Sequence, residues 1–218
     1  MLFQELCDKK FGYVNLNVEA RRWFLESGQA SHPNPLLDPD ICRQMVEEMH
    51  TRQGIDFSYG GWLEDRSELW RGSYLDENKT HLHLGVDFNV PAGTSVSADH
   101  EAEVLYVDTD FPADGGWGNR VIMRLMGKSE ILIYAHLDNT VLCKTGDVLS
   151  PQDIFAKVGI PPQNGGWFPH LHVQCVEPSY FEKIVAEGLE KLDGYGSIQE
   201  IAELALRFKD PMTFVSLT

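Results

Sequence analysis

The hydrophobic pattern changes its period twice along the chain. From residue 1 to about 50, apolar side chains fall among charges at helical intervals. "VEARRWFLESG" spaces Val18, Trp23 and Leu25 and stops at Gly28, and "PDICRQMVEEMHTR" reads as a second amphipathic helix capped at Asp38 or Asp40. The prolines of "SHPNPLLDPD" separate the two. Residues 51–80, with "YGGWLEDRSELWRGSYLDENKT", lose periodicity and predict loop and short strand. From 81 to about 176 the pattern becomes β: "HLHLGVDFNV", "TSVSADHEAEVLYVD", "NRVIMRLM", "SEILIYAHL" and "HLHVQCVE" are β-branched or apolar and partly alternating. Turns rich in Gly and Pro ("PAG", "PADGGWG", "MGKS", "PPQNGGWFP") divide them. "PSYFEKIVAEGLEKLDG" and "SIQEIAELALRF" predict two closing helices. Short strands at close spacing favour an antiparallel β-sandwich or open barrel over βαβ units. The expected architecture is therefore mainly β, α+β overall. Its core spans 81–176, a helical and loop-rich extension (1–80) packs on that core, and a helical segment (177–218) closes the chain.

Composition narrows the partners. At 218 residues and 43% hydrophobic content, the chain has material for a substantial core. A formal net charge of −15 opposes nucleic acid and anionic membrane surfaces. The opening "MLFQELCDKK" has no signal-like apolar run, and no stretch reaches the ~18 apolar residues of a membrane span. A cytoplasmic location is expected. Cys7, Cys42, Cys143 and Cys175 lie far apart without a CxxC pair, which points to reduced thiols rather than thiolate zinc or a disulfide framework.

The candidate chemistry lies in histidines. His83, His136, His170 and His172 stand in apolar, strand-like runs together with Asp87. One such histidine is usually a hydrogen-bonded core residue; four beside an aspartate suggest convergence on a metal. In a flat strand His83 and Asp87 lie about 13 Å apart, so they share an ion only if the chain bends, and Gly85 is the residue that permits it. His170 and His172 in "HLH" point to one face with Cα atoms roughly 6.6 Å apart. One of them could bind the ion while the other reaches a water held by it. Two imidazoles and a carboxylate would leave a tetrahedral position open, as catalytic zinc requires.

"HLGVDFNVPAGTSVSA", "GGWGNRVIMRL", "YAHLDN" and "FPHLHVQ", in this order over about residues 81–176, resemble the signature blocks of the lysostaphin/LytM-type zinc metallopeptidases. "CKTGDVLS" is a further likeness. The resemblance implies an antiparallel β fold with a long groove and one zinc held by His83, Asp87 and His172. It implies His136 and His170 flanking the metal-bound water. The chain departs from the family at Ala102, where glycine is usual, and in the Pro- and Trp-rich wall "GIPPQNGGWFPH". The implied activity is hydrolysis of an amide bond in a peptide by a zinc-activated water, with His170 and His136 as general acid/base and oxyanion stabiliser. A small non-peptidoglycan amide in the cytoplasm is a second substrate class, and a non-catalytic metal-binding regulatory or binding module is a different reading.

Further positions invite two readings each. Asn119 and Tyr134 would line the groove or pack at strand ends. Trp62, Trp70, Trp117 and Trp167 would form an aromatic wall, with Trp167 against the substrate, or fill the core. Asp138 would orient His136 or sit in a solvated turn, and His81 and His100 read as surface or outer-shell residues. Asn15 or Asn17 would plug the zinc, as an asparagine does in latent members of the family.

Overall fold

The computed structural model describes residues 1–29, 33–110, 115–128 and 130–217. Parts of the turns in "SHPNPLLDPD", "PADGGWG" and "MGKS" lie outside the described residues. The strands are β1 (Phe11–Tyr13), β2 (Phe57–Gly60), β3 (Glu64–Asp65), β4 (Leu82–His83), β5 (Val86–Asn89), β6 (Ser95–Ser97) and β7 (Ala102–Asp110). There follow β8 (Gly118–Leu125), β9 (Ile131–Leu137), β10 (Val148–Leu149), β11 (Ile154–Lys157), β12 (Leu171–Val176), β13 (Tyr195–Gly196) and β14 (Phe208–Lys209). The α-helices are α1 (Leu16–Ser27), α2 (Pro39–Gln53), α3 (Tyr74–Asn78), α4 (Pro178–Glu187) and α5 (Ile201–Arg207). Among the described residues no helix is long and apolar enough to cross a membrane.

Among those residues, a nine-stranded sheet runs β1-β2-β5-β12-β9-β8-β7-β10, with β14 also paired to β12. Its ends do not meet, so it is an open sheet and not a closed barrel. All its pairings are antiparallel except β1 with β2. A small sheet, β13-β4-β3, and the pair β11-β6 complete the β structure. The inner strands are covered on both faces. Val86, Phe88, Leu132, Tyr134, Leu171 and Val173 pack toward Phe3, Phe57 and Phe155 on one side. Ile131, Ile133, Ala135 and Val176 meet Leu82, Leu84, Phe181 and Phe208 on the other. Removing these side chains from water is the main favourable term holding the layers together.

The N-terminal region corrects part of the helical expectation. α1 ends on Gly28 at φ 65°, and the Asp38 carboxylate caps α2 by accepting from the amides of Asp40 and Ile41. Yet residues 11–13 form a strand of the large sheet inside the stretch expected to be helical, while 57–60 supply one of the short strands expected within 51–80. The buried stripe of α1 is Leu16 and Ala20, with Trp23 and Phe24 packed beside them. Val18 and Leu25 are 59% and 78% exposed, on the opposite face from the one their apolar character suggested. At the other end α4 stops at Glu187 instead of running on through "GLEKLDG", because Gly188 takes φ 119° and leaves the helix. Ala102 is not among the residues at positive φ, so its backbone carries no strain that glycine would relieve.

The functional face is made by one change of sheet. β4 belongs to the small sheet and β5 to the large one, and the chain crosses between them at Leu84 and Gly85. Gly85 is required there by space. A Cβ would come within 2.6 Å of the His172 ring and of the Val173 carbonyl oxygen. The substitution Gly85→Ala is expected to destabilise the metal-free protein by about 1–3 kcal/mol through this overpacking. Urea denaturation checks it; a midpoint equal to that of the parent would show that the crossing tolerates a side chain.

Candidate metal centre

Five buried side chains meet on the face of the large sheet that carries the small one. His172 on β12 is the direct register partner of Asp87 on β5, and the sheet crossing lays His83 over both. All three are between 1% and 3% exposed. His83 Nε2 lies 3.0 Å from His172 Nδ1 and 3.4 Å from Asp87 Oδ1, while His172 Nδ1 lies 2.9 Å from the same oxygen. Tetrahedral zinc with bonds of about 2.0–2.1 Å would space its donors roughly 3.3 Å apart. The triangle has the right size.

Proton placement tests the fit independently. A carbonyl oxygen can only accept, so each ring nitrogen facing one carries the hydrogen. His83 Nδ1 donates to Gly61 O at 3.0 Å, His136 Nδ1 to Asn164 O at 2.8 Å, and His170 Nδ1 to Phe168 O at 2.7 Å. Gln174 donates its amide to Asp193 O, which turns its Oε1 toward His172 Nε2 at 3.1 Å and makes that nitrogen the donor. In the neutral rings the lone pairs of His83 Nε2 and His172 Nδ1 therefore face each other and Asp87 Oδ1. Three acceptors without a proton among them repel; a divalent cation converts that repulsion into bonds. Among the described residues, His83, Asp87 and His172 form the one group of donors close enough to share an ion.

The electrostatics keep this set in its ligating form. Burial, reinforced by Arg66, drives the His83 pKa down to about 3. Burial holds His136 well below the ordinary histidine value and also lowers His170. Burial alone would raise Asp87, but the charges around it, with the Arg66 guanidinium the one that persists when the histidines are neutral, more than offset it and leave a carboxylate. Arg66 Nη1 reaches Asp87 Oδ2 at 2.5 Å. No motif pointed to Arg66; the signal that could have singled it out is an arginine in the weakly periodic stretch "EDRSELW" beside a predicted metal site.

His136 reaches the same face by a backbone irregularity. Opposite it, β8 advances from Asn119 to Val121 while β9 advances from Tyr134 to Leu137, so β9 carries one extra residue. His136 absorbs it at φ 64°, as a β-bulge. The bulge reverses the alternation, so that His136 faces the cleft although Tyr134, two residues earlier, faces the core. The imidazoles of His136 and His170 are 4.5 Å apart, and His170 Nε2 is 3.6 Å from Asp87 Oδ1. Both Nε2 atoms carry lone pairs toward a cavity of about 420 Å³ walled by Trp70, Trp117, Trp167 and Tyr195. A larger hollow of about 560 Å³, between α2 and Phe168, holds no convergent donor set among the described residues.

Other expected positions fall elsewhere. Tyr134 is 2% exposed and packs edge-on against Phe155, so it is a core residue and not a groove residue. The Asn119 amide is spent on Asn139 and on the Leu137 and Gln163 carbonyls, which fixes a strand end and keeps it off the cavity wall. Trp167 does line the cavity, whereas Trp62 bonds to the Phe208 carbonyl outside it. Asp138 accepts from the Thr140 amide, the solvated-turn reading. Asn15 caps α1 and Asn17 accepts from the amides of Glu68 and Leu69, so neither plugs the centre.

The neutral histidines predict a pH dependence. Their folded pKa values lie below the unfolded value of 6.5, so the unfolded chain binds more protons below that pH. Stability of the metal-free protein is therefore full above about pH 6.5 and is lost on acidification. The slope is about 1.4 kcal/mol per pH unit for each histidine that stays neutral. His136→Asn, which tolerates the left-handed backbone, should flatten the slope by about one proton in urea titrations between pH 7 and 5. An unchanged slope would mean that His136 is already protonated in the fold.

No curated protein matches the chain. The catalytic domain of lysostaphin, an antimicrobial peptidase from Staphylococcus simulans, is 23% identical over 62% of this chain and 79% of that one, with a TM-score of 0.39. A mutant catalytic domain of the prophage-encoded M23 protein EnpA from Enterococcus faecalis is 24% identical over 44% and 68%, with a TM-score of 0.37. A zinc-containing peptidase from Vibrio cholerae is 23% identical over 44% of this chain, which spans 27% of that protein, with a TM-score of 0.35. Residues 81–181 match the profile of Peptidase family M23. Over those residues, somewhat under half of the chain, the sequence is similar to Peptidase family M23.

Proposed function

We propose that the chain hydrolyses an amide bond of a peptide with one zinc ion held by His83 Nε2, Asp87 Oδ1 and His172 Nδ1. The observation that carries this reading is the convergence of three lone pairs with two further neutral imidazoles leaning over them. When bound there, zinc supplies Lewis acidity toward a water and toward the substrate carbonyl. The other steps fall to the chain. His170 Nε2, free as an acceptor, takes the proton of the attacking water and delivers it to the departing amine nitrogen. His136 Nε2 is likewise an acceptor while its ring is neutral, so it stabilises an oxyanion only after taking up a proton of its own. Trp167 and the other cavity indoles exclude water and give the peptide an apolar wall.

The charge of the chain bears on the substrate and the setting. Among the described residues, the charged side chains on the cavity wall are Asp110 and Asp193, with no lysine or arginine. This disfavours anionic substrates and suits peptides that are neutral or cationic beside the cleaved bond. All four cysteines are free thiols, three of them buried, which fits a reducing compartment and supports a cytoplasmic peptide as the substrate.

His172→Ala should abolish zinc binding, whereas His170→Ala should keep zinc and lose about 10²–10⁴-fold in turnover, the usual weight of a general acid/base. Metal analysis of each purified variant and cleavage of a peptide library, with and without chelator, check both halves. Turnover that survives in both variants would sink the proposal, and zinc uptake without any cleavage by the parent would favour a binding module.

A further inference from the structure

Arg66 lies outside the matched family segment and is wholly enclosed, at 1% exposure. Its Nη1 meets Asp87 Oδ2 at 2.5 Å and the Tyr195 hydroxyl at 3.4 Å, and its Nε meets Glu64 Oε1 at 3.2 Å. Trp70 Nε1 donates to the same hydroxyl at 2.7 Å. Arg66 Nη2 and Glu64 Oε2 are buried with no partner. Neutralising one buried carboxylate would need only a positive charge. A planar guanidinium braced on Glu64 and Tyr195 does more, because it fixes a direction.

From this geometry we infer that Arg66 is a positioning residue of the metal centre. A free carboxylate can hold a cation through one oxygen or both. By occupying Asp87 Oδ2, Arg66 leaves Oδ1 as the oxygen facing His83 Nε2 and His172 Nδ1. The centre then offers three donors and keeps its remaining positions for water and substrate. Lysine, a point donor on a flexible stem, cannot grip Asp87 and Glu64 together. The inference rests on the proposed zinc site and adds that a residue outside the motifs sets its coordination number.

The full-length chain tests it through two readouts besides activity: zinc affinity by chelator competition, and the visible spectrum of the cobalt(II)-loaded protein, whose bands weaken as coordination rises above four. One variant is Glu64→Gln combined with Arg66→Gln, which removes both buried charges together. The other is Arg66→Lys, which keeps the positive charge and removes the fork. Both should fold and bind zinc about 10–100-fold more weakly, the range typical of lost outer-shell partners, with weaker cobalt bands. A folded variant with the parent's spectrum and a zinc affinity within about twofold overturns the inference. If the double variant does not fold, Arg66→Lys decides by the same criteria. A parent that takes up neither ion overturns the zinc reading and this one together, whereas a parent that binds with unaltered variants overturns this one alone.

Discussion

The change of sheet at Leu84 and Gly85 is the constraint on which the centre depends. His83 and Asp87 are four residues apart, a separation that an extended strand converts into about 13 Å. The chain defeats that distance by leaving the small sheet and entering the large one within two residues, so that His83 lies over Asp87 with their ligating atoms 3.4 Å apart. Apolar burial secures the step, since Leu82 and Leu84 are enclosed in the core cluster between the sheets. Register does the rest: β12 places His172 directly opposite Asp87, and the pleat sets His170 on the same face two residues earlier.

Burial on this scale is costly for polar groups unless each finds a partner. The centre meets that demand by sending every histidine proton outward, onto Gly61, Asn164 and Phe168 carbonyls or onto Gln174. The outward bonds fix the tautomers, and the fixed tautomers aim the lone pairs inward. The same desolvation that lowers the pKa values of His83, His136 and His170 keeps those three unprotonated at neutral pH. One physical cause thus yields rigid geometry, a ligand set ready for a cation, and two bases over a cavity.

Much of this was legible from local pattern. The sheet-forming stretches, the caps of α1 and α2 at Gly28 and Asp38, the bend at Gly85 and the shared face of His170 and His172 all follow from spacing and residue type within a few positions. What escaped depends on facts no local pattern contains. One residue at positive φ, His136, inverts the alternation and sends Tyr134 to the core, where simple period-two counting puts both on one face. The exposed Val18 and Leu25 show a similar limit, because the face of α1 that is buried depends on where α2 and Trp70 pack. The strand at Phe11–Tyr13 is three residues long and becomes a strand by pairing with residues 57–59, far along the chain.

The outer partners of the candidate ligands come largely from outside the matched stretch 81–181. Gly61 O holds His83, Arg66 holds Asp87, and the Asp193 carbonyl orients Gln174 behind His172. These partners come from residues 61–66 and 193, on either side of the matched segment 81–181. Trp70 and Tyr195, from the same two flanks, close the cavity that Trp117 and Trp167 open from within the segment. Losing these bonds while the groups stay buried would cost about 1–3 kcal/mol for the neutral imidazole N–H and more for the charged carboxylate oxygen. The motifs therefore supply the ligating atoms, while the chain before and after them supplies the hydrogen bonds that aim those atoms. Residues 1–80 act on the centre as part of its wall and its second layer of bonds, and a description of the site that begins at residue 81 lacks the groups that set its electrostatics.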